Sequence, residues 1–304
     1  MNINTIVVGV DFSEQSEAAA VEALDIAKHV GARVVLVHVG EVPGEGATSS
    51  NSVAAEWERA VRAQATQDHA RLETLVTELS ESGVEVAHRV VDGHPEDGVC
   101  EAAKELGAEL VVTGSQGRSG LTRFLLGSVA ERIVRQAETN VIVSRNNNPD
   151  SEGYRRVLVL TDFSRHAERT LETALALVRD GGQVELMHFY QLPMIATGPA
   201  KKLASKASAS VVDALKTEVD DEGAKLVERY QPENATLSFV SRRDAVMHGI
   251  EQIGDADPPY DVVAVGSHGH RGFRRLILGS VAEKAMRHAK CSVLIVYGDE
   301  SDHD

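Results

Sequence analysis

Residues 111–133 read VVTGSQGRSGLTRFLLGSVAERI, and residues 263–285 read VAVGSHGHRGFRRLILGSVAEKA. Each segment opens on a short apolar run and turns through a glycine loop, Gly114-Ser115-Gln116-Gly117 or Gly266-Ser267-His268-Gly269. Nine residues later it reaches Gly127-Ser128 or Gly279-Ser280, at the head of a stretch with helical periodicity. Strand, glycine loop and helix start in that order are the connection of a parallel α/β layer. The repetition extends outward: residues 5–13, TIVVGVDFS, match residues 156–164, RVLVLTDFS, with Asp11 and Asp162 151 residues apart and Gly114 and Gly266 152 apart. One insertion or deletion over a whole domain is a tight register, so the chain is one domain written twice.

The chain has 304 residues, which agrees with two domains of about 150 residues, each able to bury roughly 70% of its unfolded surface. Hydrophobic residues make up 42% of it and aromatic residues only 4%, so the core is expected to be Val, Ala, Leu and Ile. Fibrous and disordered classes are excluded by this composition. With 31 Lys and Arg against 46 Asp and Glu, the net charge is −15, which argues against a groove that follows a nucleic-acid backbone. A small anion remains compatible, because screening acts over roughly 8 Å at physiological salt and a local basic loop suffices. Cys100 and Cys291 form no CxxC or metal-ligand spacing and read as small buried hydrophobes in a reducing compartment. The start MNINTIVVGVDFSE lacks a basic region followed by a long apolar stretch, and no window approaches the roughly 20 apolar residues of a membrane span. The expectation is a soluble cytoplasmic protein.

The polar stretch Arg145 to Gly153, rich in turn formers, marks the boundary between domains expected at 1–146 and 154–298. In the first, strands are expected at Thr5 to Val10, Arg33 to Val39, Glu85 to Val91, Glu109 to Thr113 and Asn140 to Ser144. In the second they are expected at Arg156 to Thr161, Gln183 to Phe189, Thr236 to Ser241, Asp261 to Val265 and Ser292 to Tyr297. Helices should start near Ser13, Ser52, Pro95 and Ser128, then near Ser164, Ala200, Asp244 and Ser280. Crossovers between parallel strands are right-handed, so the loops at the carboxyl ends gather along one edge, where ligands of open α/β sheets bind.

Three elements of each copy fall on that edge: Asp11 or Asp162 after strand one, the end of strand two at His38-Val39 or His188-Phe189, and the glycine loop after strand four. Glycines let successive N–H groups converge on one concavity, and Ser128 and Ser280 open helices whose free N–H groups point the same way. Arg118 and Arg123 in one loop, and His270, Arg271, Arg274 and Arg275 in the other, are the local positive charges an anion needs. The loop is neither a Walker A sequence, which requires a Lys after its second glycine, nor GxGxxG. Asp11 and Asp162 could each cap the following helix, but Ser13 and Ser164 already serve as caps, which favours a binding role. His38 and His188 read as structural histidines, and no HxH, HExxH or carboxylate cluster recurs to suggest a metal site.

With its G-2x-G-9x-G-(S/T) pattern met in both copies, the sequence resembles the universal stress proteins, in particular the tandem members with two domains in one chain. The resemblance covers nearly the whole chain. It implies an α/β fold of two Rossmann-like domains of the adenine nucleotide alpha hydrolase type, each a five-stranded parallel sheet of order 3-2-1-4-5 with helices on both faces. It also implies ATP at the carboxyl edge, any Mg2+ arriving with the phosphates. Carried onto this chain, Asp11 contacts the adenine and Val39 lies against it, Gly114 and Gly117 wrap the ribose and phosphates, and Gly127, Ser128 and Val129 hold the phosphate tail. The second copy offers Asp162, Phe189, Gly266, Gly269, Gly279, Ser280 and Val281. Two departures stand out. Gly93-His94-Pro95 matches the family's GxP turn, whereas the second copy has Arg242-Arg243-Asp244, which is expected to alter loop shape rather than binding. Gln116 replaces a basic residue common inside the loop, so the first site is expected to be weaker than the second, which has His268.

The leading functional expectation is an ATP-binding stress protein with slow or no turnover, since no base or metal-ligand pattern for phosphoryl transfer accompanies the loops. An ATP pyrophosphatase or adenylating enzyme would carry an SGGxDS-like loop where this chain has GVDFSE and LTDFSR. A nucleotide-independent interaction module is the remaining alternative. It would use the strand-five runs Val141-Ile142-Val143 and Val293-Leu294-Ile295-Val296, which could pair within the chain as a pseudo-dimer or between two chains. A protein partner is expected but unspecified; nucleic acid and membrane are not expected. The Gly, Pro and Ser-rich stretches at Val42 to Asn51 and Pro193 to Pro199 read as solvated connections, and Gly298 to Asp304 as an acidic tail.

Overall fold

The computed structural model describes residues 2–40, 52–117, 126–145, 153–190, 200–253, 256–268 and 278–298. The chain divides into two compact units, Met1–Gly153 with Ser292–Tyr297, and Tyr154–Cys291 with Gly298–Asp304. The first contains β1 (Thr5–Gly9), α1 (Glu14–Val30), β2 (Arg33–Val39), α2 (Ser52–Ser80), β3 (Val86–Val91), α3 (Pro95–Leu106), β4 (Leu110–Gly114), α4 (Ser128–Gln136) and β5 (Asn140–Ser144). These strands are parallel in the order β3-β2-β1-β4-β5. The chain reverses direction across the sheet between β1 and β4, so Gly9, paired with Thr113, borders the crevice where ligands of such sheets sit.

β-branched residues dominate these strands because both faces are covered. Ile6, Val7, Val8, Val111 and Val112 retain no exposed surface. Helices α1 and α3 both pack against β1, with α1 also on β4 and α3 also on β2. Burying a side chain such as Ile6 or Leu110 contributes roughly 1.5–3 kcal/mol, which is how an aromatic-poor chain sustains two cores. Helix α1 starts at Ser13, whose Oγ accepts the Ser16 N–H, and ends at Gly31, which closes the last turn in the left-handed region at φ 74°.

The second unit contains β6 (Tyr154–Leu160), α5 (Arg165–Leu177), β7 (Val178–Tyr190), α6 (Ala200–Tyr230), β8 (Ala235–Arg243), α7 (Val246–Ile253), β9 (Val262–Gly266) and α8 (Ser280–His288). Its strands are parallel in the order β9-β6-β7-β8, the same 4-1-2-3 arrangement as in the first unit. Strand β7 starts at Val178 rather than at the expected Gln183. No glycine follows α5 to close it; the β-branched Val178 caps it in an extended conformation and pairs at once with Tyr154. Within β7, Gly181 at φ 73° accompanies an irregularity that shifts the register between Tyr154 and Arg156.

The last strand, β10 (Ser292–Val296), is counted with the first unit. It lies antiparallel to β5, with Val293 opposite Val143, Leu294 opposite Ile142 and Ile295 opposite Val141. Ser292 Oγ–H donates to Glu22 Oε2 at 3.0 Å and accepts the Arg145 N–H at 3.0 Å, while the Tyr297 N–H donates to Asn140 Oδ1 at 3.0 Å. The apolar β5 edge is thereby paired rather than open.

Each unit also clips its first strand at the amino end. Glu109 Oε2 accepts the Asn4 and Thr5 N–H groups at 3.1 and 3.0 Å, and Asp261 Oδ2 accepts those of Arg155 and Arg156 at 2.6 and 2.8 Å. The carboxyl ends are left to a different task.

Candidate functional site

The turn after strand one has the same construction in both repeats. Asp11 Oδ1 accepts the Ser13 N–H at 3.0 Å and the Ser13 hydroxyl at 2.5 Å; Asp162 Oδ1 accepts the equivalent Ser164 groups at 3.1 and 2.5 Å. Ser13 and Ser164, held in this way, cap α1 and α5. Between Asp and Ser, Phe12 and Phe163 stand in the left-handed region at φ 61° and 63°. That conformation costs a non-glycine residue about 1–2 kcal/mol, and its recurrence at one position in both copies marks a constrained turn.

The strain is supported by packing. The Phe12 ring lies 4.7 Å from the His38 ring, with the Arg71 guanidinium 4.3 Å from the Phe12 ring centre and Arg71 Nη2 donating to the Phe12 carbonyl at 3.3 Å. Phe163 lies 4.6 Å from the His188 ring and 5.9 Å from that of Phe239. Nδ1–H of His38 donates to Val10 O, and Nδ1–H of His188 to Thr161 O, each at 2.8 Å. A carbonyl can only accept, so the proton position follows. Both histidines thus anchor the end of strand two to the backbone at the end of strand one.

The glycine loops come next. Gly127 N–H donates to Ser115 O at 2.7 Å, and Gly279 N–H donates to Ser267 O at the same distance. This bond closes the base of each loop and brings the helix start against the strand end. Helices α4 and α8 take Gly127 and Gly279 as N-caps with no side-chain hydrogen bond, unlike α1 and α5. Their first-turn N–H groups lack the side-chain partner that Ser supplies elsewhere, and Ser128 and Ser280 are exposed beside them.

The carboxylate turn and the loop meet. A β carbon on Gly117 would stand 2.7 Å from Asp11 Oδ2, and one on Gly266 would stand 2.2 Å from Cδ2 of His166 at the start of α5. A side chain at either place requires the Asp11 carboxylate or the His166 ring to move. In the first repeat the residue equivalent to His166 is Gln15, whose backbone would lie 3.0 Å from a β carbon on Gly114.

Strand two contributes through its last side chains. Val39 packs on Gly98 of α3 and Phe189 on Gly249 of α7, where a β carbon would come within 2.8 and 2.1 Å respectively. The structure thus brings Asp11, Gly114, Gly117 and Gly127 together, whereas Val39 and Phe189 are engaged with helices. Val129 is partly exposed on the first turn of α4, and Val281 occupies the same position on α8. Gly269 lies outside the described residues, as do Arg118, Arg123, His270, Arg271, Arg274 and Arg275, the stretches 42–51 and 193–199, and residues 299–304.

The GxP turn of the first repeat is a helix start. Gly93 has φ 121°, His94 is the N-cap and Pro95 the first helical residue of α3. Glu96 follows, buried, and a hydrogen bond from Arg132 of α4 holds its carboxyl below the usual carboxylate range. This pair ties α4, whose start faces the loop, to α3. In the second repeat Asp244 precedes α7 and bonds within its own segment, accepting the Ala245 N–H at 2.7 Å, and a hydrogen bond from His248 of α7 holds its carboxyl low.

Sequence reading passed over Phe12, Phe163, Ser115, Ser267, Gln15 and His166 as site-building residues. The recurrence of Asp-Phe-Ser and Gly-Ser at equal spacing was the available signal for the first four. Gln15 and His166 gave none, because they differ between copies. Among the described residues no helix is long and apolar enough to cross a membrane, and no group of three or more His, Cys, Asp or Glu could hold a metal ion.

A doubly wound α/β unit with a glycine loop at its carboxyl edge, occurring twice in one chain, defines the class as Rossmann-like. The family model of the universal stress protein family matches residues 2–145 and again 153–297, and the chain belongs to that family. It is 29% identical over 302 residues to universal stress protein Rv2005c of Mycobacterium tuberculosis, covering 95% of this chain and 96% of that one. The tandem organisation is thus shared across the full length. Universal stress protein MJ0531 of Methanocaldococcus jannaschii is 34% identical over 139 residues, 45% of this chain and 79% of its own. A crystal structure of a universal stress protein from Archaeoglobus fulgidus aligns with a TM-score of 0.66 at 19% identity, covering 98% of this chain and 99% of that one, and supports the fold.

Proposed function

We propose that the chain is a nucleotide-binding stress-response protein whose two repeats each take ATP at the carboxyl edge and turn it over slowly or not at all. The observation that carries this reading is the loop closure common to both repeats, from Gly127 N–H to Ser115 O and from Gly279 N–H to Ser267 O at 2.7 Å, which sets a helix start without a side-chain cap beside a glycine loop. That arrangement suits a phosphate chain, because backbone N–H groups and the positive end of the helix dipole act on the same oxygens.

In the first repeat Asp11 would face the adenine, Gly114 and Gly117 the ribose and first phosphates, and Gly127, Ser128 and Val129 the phosphate tail. Gly117, where a β carbon would stand 2.7 Å from Asp11 Oδ2, fits such close approach. In the second repeat the roles fall to Asp162, Gly266, Gly269, Gly279, Ser280 and Val281. Val39 and Phe189 would line the base through the parts of their side chains not packed on Gly98 and Gly249. Mg2+ would be held by the phosphates themselves. Nucleotide occupancy would then bias the choice of protein partner.

Isothermal titration of the full chain with ATP, preceded by mass spectrometry of small molecules released on denaturation, tests the reading. Up to two ATP per chain is the expected stoichiometry; absence of saturable binding would refute it. Steady release of AMP and pyrophosphate would instead favour an adenylating enzyme.

A further inference from the structure

The second repeat carries a cluster that the first lacks. Ser267, 1% exposed, has its Oγ 3.0 Å from Nδ1 of His268 and 3.5 Å from Nε2 of His166. Its carbonyl is the acceptor that closes the loop onto Gly279. His166 comes from the first turn of α5 and His268 from the loop, so two imidazoles from separate elements flank one buried hydroxyl. The first repeat has Gln15, Ser115 and Gln116 at these positions. A glutamine carries no proton that titrates near neutrality.

We infer that His166, Ser267 and His268 make the second site a proton-coupled anion site, so that the two repeats differ in ligand selectivity although they share one loop; the inference rests on the nucleotide reading above. A hydroxyl has one proton and two acceptor positions. With both imidazoles neutral, Ser267 donates its proton to one of them and accepts from the other. When the accepting imidazole takes up a proton, both rings donate to the Ser267 oxygen. The hydroxyl proton is then turned out and can be donated to a phosphate oxygen at the start of α8. One proton enters with the ligand, and one positive charge is added beside the phosphates. Imidazole is the side chain that titrates closest to physiological pH.

The remaining charged and titratable groups come from the elements that carry this cluster and from α8, which packs on β9 and carries Lys284 and Glu283, the latter paired with Arg287 at 3.0 Å. Asp162 precedes α5 and is engaged with Ser164; Arg165 adjoins His166, and Arg169 follows on the same helix face. Glu168 of α5 bonds instead to Arg229 and Tyr230 of α6. From β7 comes His188, bonded to Thr161 O; on β6, Arg156 lies at the far end with Asp261; and β9 carries no ionisable residue.

ATP titrations of full-length chains in which one loop is blocked separate the two sites. With Gly117→Val, only the second site reports; with Gly269→Val, only the first. The ATP phosphate itself titrates near pH 6–7 and affects both alike, so the first site is the control. From pH 8 to pH 6 the second site should gain about tenfold in affinity beyond any gain at the first. Titrations in two buffers of different ionisation heat should show about one extra proton taken up per ATP at the second site. His166→Gln with His268→Gln, which installs the residues of the first repeat, should remove both the excess gain and the extra proton while ATP still binds. Equal pH dependence at the two sites, or an excess that survives the double substitution, would overturn the inference. Absence of ATP binding at either site at every pH would defeat the nucleotide reading itself, and this inference with it.

Discussion

Asp11 and Gly117 interlock: one carboxylate oxygen of Asp11 is held by the Ser13 backbone and hydroxyl, and the other stands 2.7 Å from where a β carbon of Gly117 would be. The strand-one turn and the glycine loop are thus one unit, although more than a hundred residues separate them in sequence. Gly117→Val must displace either the carboxylate or the loop. It should therefore abolish ATP binding at the first site and leave the second intact. In thermal denaturation, ligand at 100 times its dissociation constant stabilises a binding site by about 2.7 kcal/mol, and the contribution of the first site should vanish.

Phe12 offers a test of stored strain. Phe12→Ala removes the ring packed on His38 and Arg71 but keeps a β carbon at φ 61°. Phe12→Gly removes the same ring and relieves the backbone. The glycine variant should be more stable than the alanine variant by about 1 kcal/mol in urea unfolding, the reverse of the order in a helix. An alanine variant of equal or greater stability would show that the turn is not strained.

The pairing of Glu96 with Arg132 predicts an acid limb. The hydrogen bond from Arg132 holds the folded-state carboxyl below its unfolded value. The resulting stabilisation is fully present above the unfolded value of about 4.3 and is lost as pH falls through the lower folded value. Glu96→Gln should reduce stability at pH 7 and flatten the pH dependence below about pH 4.5, as followed by circular dichroism. An unchanged acid limb would remove this pair from the account.

Strand β10 covers the edge of β5, where Val141, Ile142 and Val143 are fully buried. A fragment of residues 1–145 lacks β10 and exposes that apolar edge. It should self-associate through β5 in sedimentation experiments, and Ile142→Lys should return it to a monomer. A fragment that is monomeric without the substitution would contradict this.

Burial, with Asp97 nearby, pushes the Cys100 thiol up to about 11. The thiolate fraction at pH 8 is then roughly a hundredfold below that of an ordinary thiol. In a Cys291→Ser background, iodoacetamide should alkylate the folded chain correspondingly slowly and the denatured chain at the normal rate.

Much of the fold was legible because it depends on local pattern and on repetition. Runs such as Ile6-Val7-Val8 and Val111-Val112, apolar without alternation, announce strands covered on both faces, and Ser13 and Ser164 announce helix starts. The glycine loops were readable for the same reason, their spacing being set by backbone geometry and written twice. The expected start of β7 was Gln183. Pairing of Val178 with Tyr154 overrode it, and a pairing partner is not a local property.

The sequence by itself determined the two-domain α/β plan, the loops and the residues at the carboxyl edge, because these follow from hydrophobic period, turn chemistry and a register kept over 151 to 152 residues. Only the tertiary structure decided which groups meet: Asp11 over Gly117, Phe12 strained against His38 and Arg71, β10 antiparallel to β5, and Ser267 between His166 and His268. The physical reason is that hydrogen bonds and close packing act over a few ångströms in space, and strand pairing brings residues to that distance with no regard to their separation along the chain.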